Sequence, residues 1–263
     1  SWDPLGTWAA RLPSALSSLL LMLVLGDTLM RFPQNKDFFP RRTALITSLA
    51  FALSPLVLIW SRIAVSDALL CSMLGISLIF HWRRYADINT YWWIGWVFLG
   101  LAILTKGPVA LVIMFITFSF FSFIRNDIKN FIKSIKVYRG LIVTSIICLP
   151  WYLIELIVEG KAFWNSFFGY HNFQRLTSVV NSHQQPWWFF GLILVIASLP
   201  FTPFLILSFF QQFSNFKKIR SLSFQKADQS LQLFCSCWLL SILLLFTCAA
   251  TKLPSYWLPA TPA

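Results

Sequence analysis

The stretch WWIGWVFLGLAILTKGPVALVIMFITFSFFSFI, residues 92–124, decides the fold, because it is apolar almost throughout and contains a single charged side chain, Lys106. A helix needs about 20 apolar residues to cross a bilayer. The three residues Lys106-Gly-Pro108 are therefore either a tight turn between two short spans or a break in one long segment. Either interpretation places the stretch in a membrane.

The whole chain of 263 residues shares this character: 57% of it is hydrophobic, 11% is charged and the mean hydropathy is +0.70. Soluble domains are nearer 45–50% apolar and about 25% charged, so the composition excludes a soluble protein. The net charge of +12 would suit a nucleic-acid partner. The placement of that charge argues against nucleic acid and for membrane topology.

Apolar runs bounded by charge or by Pro and Gly predict an all-α polytopic membrane protein, with about eight transmembrane helices plus an outer juxtamembrane helix. The predicted spans cover residues 12–30, 43–60, 67–82, 92–105, 108–124, 140–157, 187–210 and 231–250, and a ninth begins near Trp257. We expect residues 1–263 to form a single transmembrane domain. We expect it to be a fragment that lacks an N-terminal span, a first outer loop and a C-terminal part.

Fifteen of the 21 lysines and arginines fall in the connections after spans one, three, five and seven. The other six lie on the opposite side: Arg11, Arg62, Lys106, Lys161, Arg175 and Lys252. The positive-inside rule makes the first side cytoplasmic. This alternation requires a turn at Lys106, which favours two spans there. We therefore expect a multi-pass protein of the plasma (inner) membrane.

The longest outer connection, residues 158–186, carries an aromatic stripe at helical spacing: Phe163, Phe167 and Tyr170. His171 and Arg175 are four residues apart and share a helical face. The pattern predicts a helix lying in the outer interface. A loop with aromatic anchors is the alternative.

The outer ionisable groups need an explanation, because charge at membrane depth is costly and by default points to function. Simpler roles exist for each. Arg62 could extend to lipid phosphates. Asp67 could be the N-cap of span three or the salt partner of Arg62. Lys106 could have no role other than to end a helix beside Gly107.

As a set, these groups favour an anionic ligand carried by a lipid, such as a polyprenyl phosphate. Cations there would stabilise a phosphate leaving group as its charge develops, and a carboxylate could deprotonate an acceptor hydroxyl. The set comprises Arg62, Lys106, Arg175, Lys252, Asp67 and His171. An anion transporter would need much the same residues.

Several motifs occur in an order that resembles one family of membrane enzymes, the protein O-mannosyltransferase and lipid A aminoarabinose transferase group of the type-C (GT-C) glycosyltransferase superfamily. The resemblance covers essentially the whole chain. The motifs are WAARLPSA (8–15), RIAVSDALL (62–70), GLAILTKGP (100–108), LPWY (149–152), HNFQR (171–175) and TKLPSYWLP (251–259).

The resemblance implies a hexosyl- or pentosyltransferase that takes a sugar from a polyprenyl-phosphate donor at the outer membrane face, with a protein or a glycolipid as acceptor and membrane lipids around it. It implies that Asp67 and Lys106 line the active cavity and that Tyr256 lies beside the donor phosphate. It also implies that His171 can contribute to a divalent-metal site. We expect Arg62, Arg175 and Lys252 to bind or border the donor.

The family's main catalytic carboxylates lie in the first outer loop, upstream of the motif at Trp8. We therefore expect this fragment to be inactive alone, with Asp67 in a supporting catalytic role. The alternative function is a transporter or flippase of lipid-linked sugars. Transporters place polar residues near mid-bilayer between repeated halves, whereas here they lie at one outer rim, which favours the enzyme.

Overall fold

The structure, a computed structural model, describes residues 6–34, 39–167, 169, 185–213 and 226–263, and within these ranges the chain is helical, without strands. The helices, in chain order, are α1 (Thr7–Arg31), α2 (Pro40–Leu53), α3 (Pro55–Trp60), α4 (Ser66–Ala86), α5 (Trp92–Lys106), α6 (Val109–Arg125), α7 (Ile128–Ile135), α8 (Val137–Val158), α9 (Lys161–Phe163), α10 (Phe189–Ala197), α11 (Thr202–Phe213) and α12 (Leu231–Cys248). Two 3₁₀ turns, Ala227–Gln229 and Pro254–Ala260, flank α12.

The helices have the length and surface of a membrane domain. Among the described residues, α1, α8 and α12 are long and apolar enough to cross a bilayer, and α5 and α6 are shorter apolar helices. Large apolar side chains such as Phe115, Phe123 and Ile157 point outward, where lipid rather than water would solvate them. The predicted all-α membrane class is confirmed. The count of eight spans stays a prediction.

Two predicted spans are divided in the structure. Residues 43–60 break at Ser54, because Pro55 has no N–H to donate to the preceding turn and instead begins α3. Residues 187–210 break between α10 and α11, around the Leu199–Pro200 peptide. Proline thus sets both interruptions.

The turn at Lys106 is confirmed, and one continuous segment is excluded. Helix α5 ends at Lys106 and α6 begins at Val109. Gly107 has φ 85° and its N–H donates to the Ile103 carbonyl at 2.7 Å. Glycine adopts this left-handed conformation without the penalty that a side chain would add.

Helix α4 is largely enclosed by its neighbours. It packs against α1, α5 and the 254–260 turn, and also touches α6 and α7. Leu74, Ile76 and Trp82 are fully buried in it. Its neighbours therefore fix where both of its ends lie.

Helix α5 is fixed along its length by α8. Gly140 approaches so closely that a Cβ there would lie 1.9 Å from the Trp96 ring. The Thr144 hydroxyl of α8 donates to the Trp96 carbonyl at 2.9 Å, and the Trp96 indole N–H donates to the Ile135 carbonyl of the preceding α7 at 2.8 Å. Small residues of this kind let membrane helices approach each other closely, and here Gly140 allows α8 to pack directly on α5.

Helix α7 is a short helix that the predicted spans do not include. Phe131 and Ile135 are buried on one side, whereas Ile128 and Ile132 remain exposed. Apolar residues at every third or fourth position form an apolar face on a helix, and that face packs against neighbouring helices. The helix packs against α4, α6 and α8.

The predicted outer helix is only partly within the described residues. Helix α9 continues as a wider helical turn through residue 167. The Phe163 and Phe167 rings stack at 5.3 Å and pack on Tyr152 of α8. The rest of the stripe, Tyr170 with His171 and Arg175, lies outside the described residues.

The end of the bundle near Asp27 holds a partly buried ion network. Asp27 accepts from Arg31, as its spacing of four residues predicts, and also from Arg83, both at 2.8 Å. The Arg83 guanidinium is buried and donates further to the Thr28 hydroxyl and to the Val24 carbonyl. Helix α1 and helix α4 are thereby tied together at this end.

Candidate functional site

The candidate site is built on an ion pair between two neighbouring helices that run in opposite directions. Asp67 lies in the first turn of α4 and Lys106 is the last residue of α5. The Lys106 ammonium donates to the Asp67 carboxylate. The side chains are 27% and 10% exposed respectively, so water screens their attraction only partly.

Each helix stabilises the charged side chain at its own end. The N-terminal end of a helix has a partial positive charge and stabilises a carboxylate, and the C-terminal end stabilises a cation. Asp67 and Lys106 occupy those two ends. The dipoles of α4 and α5 therefore support the same pair that the Coulomb attraction favours.

The two simpler roles considered for Asp67 are wrong. Val65, not Asp67, is the N-cap residue of α4. Within the described residues the salt partner of Asp67 is Lys106, and Arg62 makes no ion pair with it. Proximity in sequence suggested Arg62, but the packing of α4 against α5 brings a more distant cation closer.

An aromatic wall stands behind the lysine. The Lys106 Nζ atom lies 5.5 Å from the centre of the Tyr256 ring, within the range of a cation–π contact. The Tyr256 ring stacks on Phe246 of α12 at 4.9 Å. The Cys71 thiol of α4 donates to the Leu258 carbonyl at 3.2 Å and holds the 254–260 turn in place.

The turn itself belongs inside the protein. Trp257, Leu258 and Pro259 are buried. Backbone that is not α-helical is tolerated at membrane depth only where protein or a cavity surrounds it. The bundle therefore covers one side of the turn and presents Tyr256 to the ion pair on the other.

Tyr152 supports the site from α8. Its hydroxyl donates to the Ile103 carbonyl at 2.7 Å, one turn before Lys106. Tyr152 belongs to the LPWY motif, for which the sequence predicts no role. No sequence signal marks Phe246, which lies inside an uninterrupted apolar run.

The other predicted site residues do not all join this cluster. Arg62 is exposed in the turn before α4 and lines, with Arg11 and Trp8, a separate cavity of about 370 Å³. Lys252 is half-buried at the start of the segment that carries Tyr256. Neither cation forms an ion pair with a described residue.

The metal prediction cannot be placed on the described chain. Over these residues no three His, Cys, Asp or Glu side chains lie close enough together to hold a metal ion. At the rim, the Asp67 carboxylate is already bonded to Lys106. His171 and Arg175 lie outside the described residues.

Fold and site together define the class: a polytopic membrane protein with an ion-paired polar rim at one end of its helix bundle, closed by an aromatic wall. The family described as dolichyl-phosphate-mannose-protein mannosyltransferase matches residues 5–154. Since this is more than half of the chain, the protein belongs to that family. The resemblance seen in the motifs is confirmed.

Two relatives show how much of such a protein this chain represents. A protein of Aquifex aeolicus (strain VF5) is 29% identical over 258 residues, which are 97% of this chain and 53% of the relative. An undecaprenyl phosphate-alpha-4-amino-4-deoxy-L-arabinose arabinosyl transferase of Pseudomonas aeruginosa (strain UCBPP-PA14) is 28% identical over 250 residues, 92% of this chain and 41% of the relative. The chain spans about half the length of the curated relatives that it matches.

A solved structure shares the fold. The crystal structure of ArnT from Cupriavidus metallidurans bound to undecaprenyl phosphate superimposes with a TM-score of 0.81 at 22% sequence identity. The match covers 97% of this chain and 44% of the other. The apo structure of the same protein gives a TM-score of 0.78.

Proposed function

We propose that the complete protein carrying this chain is a membrane glycosyltransferase, which moves a sugar from a polyprenyl-phosphate donor to a protein or glycolipid acceptor. Its family and its similarity to an arabinosyl transferase support this function. The observation that carries the proposal is the Lys106 ammonium, held at a rim between Asp67 and the Tyr256 ring.

Lys106 is suited to bind the donor phosphate. An ammonium group has three N–H donors; one is directed to Asp67, which leaves others for a phosphate oxygen. As the bond between sugar and phosphate breaks, negative charge grows on the phosphate, and a cation fixed in advance stabilises it. Asp67 would keep Lys106 in position and orient the sugar or the acceptor.

The remaining predicted residues take peripheral roles in this proposal. Arg62, Arg175 and Lys252 would attract and border the lipid phosphate, and His171 would hold a divalent metal ion or a phosphate. The main catalytic carboxylate would come from an outer loop that precedes Trp8. On this view the segment described would be inactive by itself.

The site would face outward from the inner membrane. In support, Asp67 and Arg83 lie near opposite ends of α4, about 24 Å apart at 1.5 Å per residue. The end with Arg83 continues into the connections where most cations lie, and such connections are cytoplasmic by the positive-inside rule.

The test is a transfer assay with the complete protein in proteoliposomes, using a labelled polyprenyl-phosphate sugar and an acceptor extract. We expect Lys106→Ala to lower transfer at least 100-fold. The matched control is Lys161→Ala, because Lys161 is an exposed lysine in the outer connection, and it should retain wild-type transfer. A wild-type rate for Lys106→Ala would contradict the proposal.

The same assay tests the transporter alternative. A flippase would carry the labelled lipid-linked sugar to the opposite leaflet without joining the sugar to any acceptor. Labelled product on an acceptor supports the transferase, and lipid movement without product would support the transporter instead.

A further inference from the structure

A basic groove lies at the end of the bundle opposite to Asp67, where α4 ends and α7 and α8 meet. It encloses about 790 Å³. We call it the basic groove because four cations line it: Arg84, Lys133, Lys136 and Arg139. The groove is separate from the Lys106 site, since about the length of α4 lies between them.

The positive charge of the groove is not neutralised within the described chain. Arg84 is buried, yet its guanidinium donates to two neutral carbonyls, those of Ser134 and Thr90, both at 3.0 Å. Lys136 lies over the Trp92 ring at 5.5 Å. Among described residues none of the four cations forms an ion pair with a carboxylate.

Two acidic side chains lie close in sequence to the groove, and both have other partners. Asp87, which follows α4, accepts from the Asn89 backbone N–H at 2.9 Å and does not line the groove. Asp127, which precedes α7, accepts from the Tyr85 hydroxyl at 2.7 Å and from the Asn130 amide at 2.7 Å. Arg125 donates in turn to the Tyr85 hydroxyl at 2.9 Å. The Asp127 carboxylate is therefore engaged by Tyr85 and Asn130 and does not itself line the groove.

Apolar side chains border the same cations. Ile88, Ile132 and Tyr138 line the groove and are 69%, 49% and 80% exposed. An amphipathic helix with basic residues beside an apolar face is typical of an element that lies in the membrane interface. A ligand that satisfies both parts of the groove must carry a negative headgroup and a hydrocarbon chain.

We propose that the basic groove binds an anionic phospholipid. The headgroup phosphate would lie among Arg84, Lys133 and Arg139, and the acyl chains would follow Ile132 and Tyr138. Basic pockets at the surface of membrane helices recognise acidic lipid headgroups in this way. A general excess of cations at this end of the bundle would explain exposed lysines, but not a buried guanidinium whose acceptors are all neutral.

The experiment measures lipid binding to the complete protein in detergent by native mass spectrometry. Phosphatidylglycerol and phosphatidylcholine with identical acyl chains are compared. We expect phosphatidylglycerol to bind at least tenfold more tightly. The double variant Lys133→Gln, Arg139→Gln should weaken phosphatidylglycerol about 10- to 30-fold and leave phosphatidylcholine unchanged, because each cation near the surface contributes about a fivefold preference for an anionic lipid.

The matched control is Arg41→Gln, Arg42→Gln, which removes the same charge from two exposed cations at the start of α2. Helix α2 follows the end of α1, so these cations lie at the same end of the bundle but outside the groove. The control should change phosphatidylglycerol binding less than twofold. An equal loss in both double variants would overturn the proposal, because diffuse charge would then explain the preference.

A competition arm separates a lipid site from a site for soluble anions. Millimolar inorganic phosphate should leave phosphatidylglycerol bound, because it cannot replace the contacts of the acyl chains. Displacement by inorganic phosphate would overturn the lipid assignment. Unchanged elution and circular dichroism show that each variant is folded, and a groove variant that fails this check is replaced by Lys133→Gln alone, whose exposed side chain can change without disturbing the core.

Discussion

Lys106 donates to Asp67 across 39 positions of sequence, from the last residue of α5 to the first turn of α4. Each side chain is largely buried. The free-energy cost of taking one charge out of water is therefore offset mainly by the other charge.

Loss of one partner of this pair should destabilise the protein. Asp67→Asn leaves the Lys106 ammonium without its counter-charge, and we expect the free energy of unfolding to fall by about 1 to 3 kcal/mol. The double variant Asp67→Asn, Lys106→Gln should lose less than the sum of the single variants. Thermal unfolding in detergent measures all three, and strictly additive losses would show that the pair is not coupled.

The Tyr256 ring, rather than its hydroxyl, is expected to support Lys106. Under the proposed function, Tyr256→Phe keeps the ring over Lys106 and on Phe246, so sugar transfer should stay within about threefold of wild type. Tyr256→Leu removes the cation–π contact and should lower transfer about tenfold. If Phe and Leu reduce transfer equally, the hydroxyl is the working group, as a contact with the donor phosphate would require.

Gly140 should tolerate no side chain. A Cβ there would lie 1.9 Å from the Trp96 ring, and α5 and α8 would have to separate. We expect Gly140→Ala to lower the free energy of unfolding by about 1 to 3 kcal/mol. Gly191→Ala is the control, since nothing lies within 4 Å of its Cβ position, and it should not lower the free energy of unfolding, because alanine is favoured over glycine in a helix.

Two arginines share Asp27 but should differ in importance. Arg83 is 5% exposed at its side chain and Arg31 is 67% exposed. Arg83→Gln removes hydrogen bonds to Thr28 and Val24 as well and should cost about 2 to 4 kcal/mol. Arg31→Gln removes a solvated pair worth less than about 1 kcal/mol. Thermal unfolding of both variants measures the two losses of stability. Equal losses would contradict the role of burial.

Features that local sequence dictates could be predicted. The turn at Lys106 follows from Gly107 and Pro108 together with the alternation of charge between connections. The pair of Asp27 and Arg31 follows from helical spacing, since residues four apart share a face. The membrane class follows from composition alone.

Features that depend on packing could not be predicted. The partner of Asp67 is set by the antiparallel contact of α4 with α5. Closeness in sequence alone suggested Arg62 instead. Phe246 is one apolar residue in an apolar run, so nothing in the sequence distinguishes it, and its contact with Tyr256 is visible only in the structure. Helix α7 is shorter than a bilayer span, and its period of Ile128, Phe131, Ile132 and Ile135 was the signal that could have revealed it.

The central position of α4 has a consequence for biogenesis. Helix α4 packs on α1 and α5, which are close to it in sequence, and also on the 254–260 turn, which follows α12. As the chain is synthesised from its N-terminus, Asp67 and Lys106 can pair once α5 is in the bilayer. Tyr256 reaches them only after α12 has been inserted, so the ion pair can form before the aromatic wall beside it is complete.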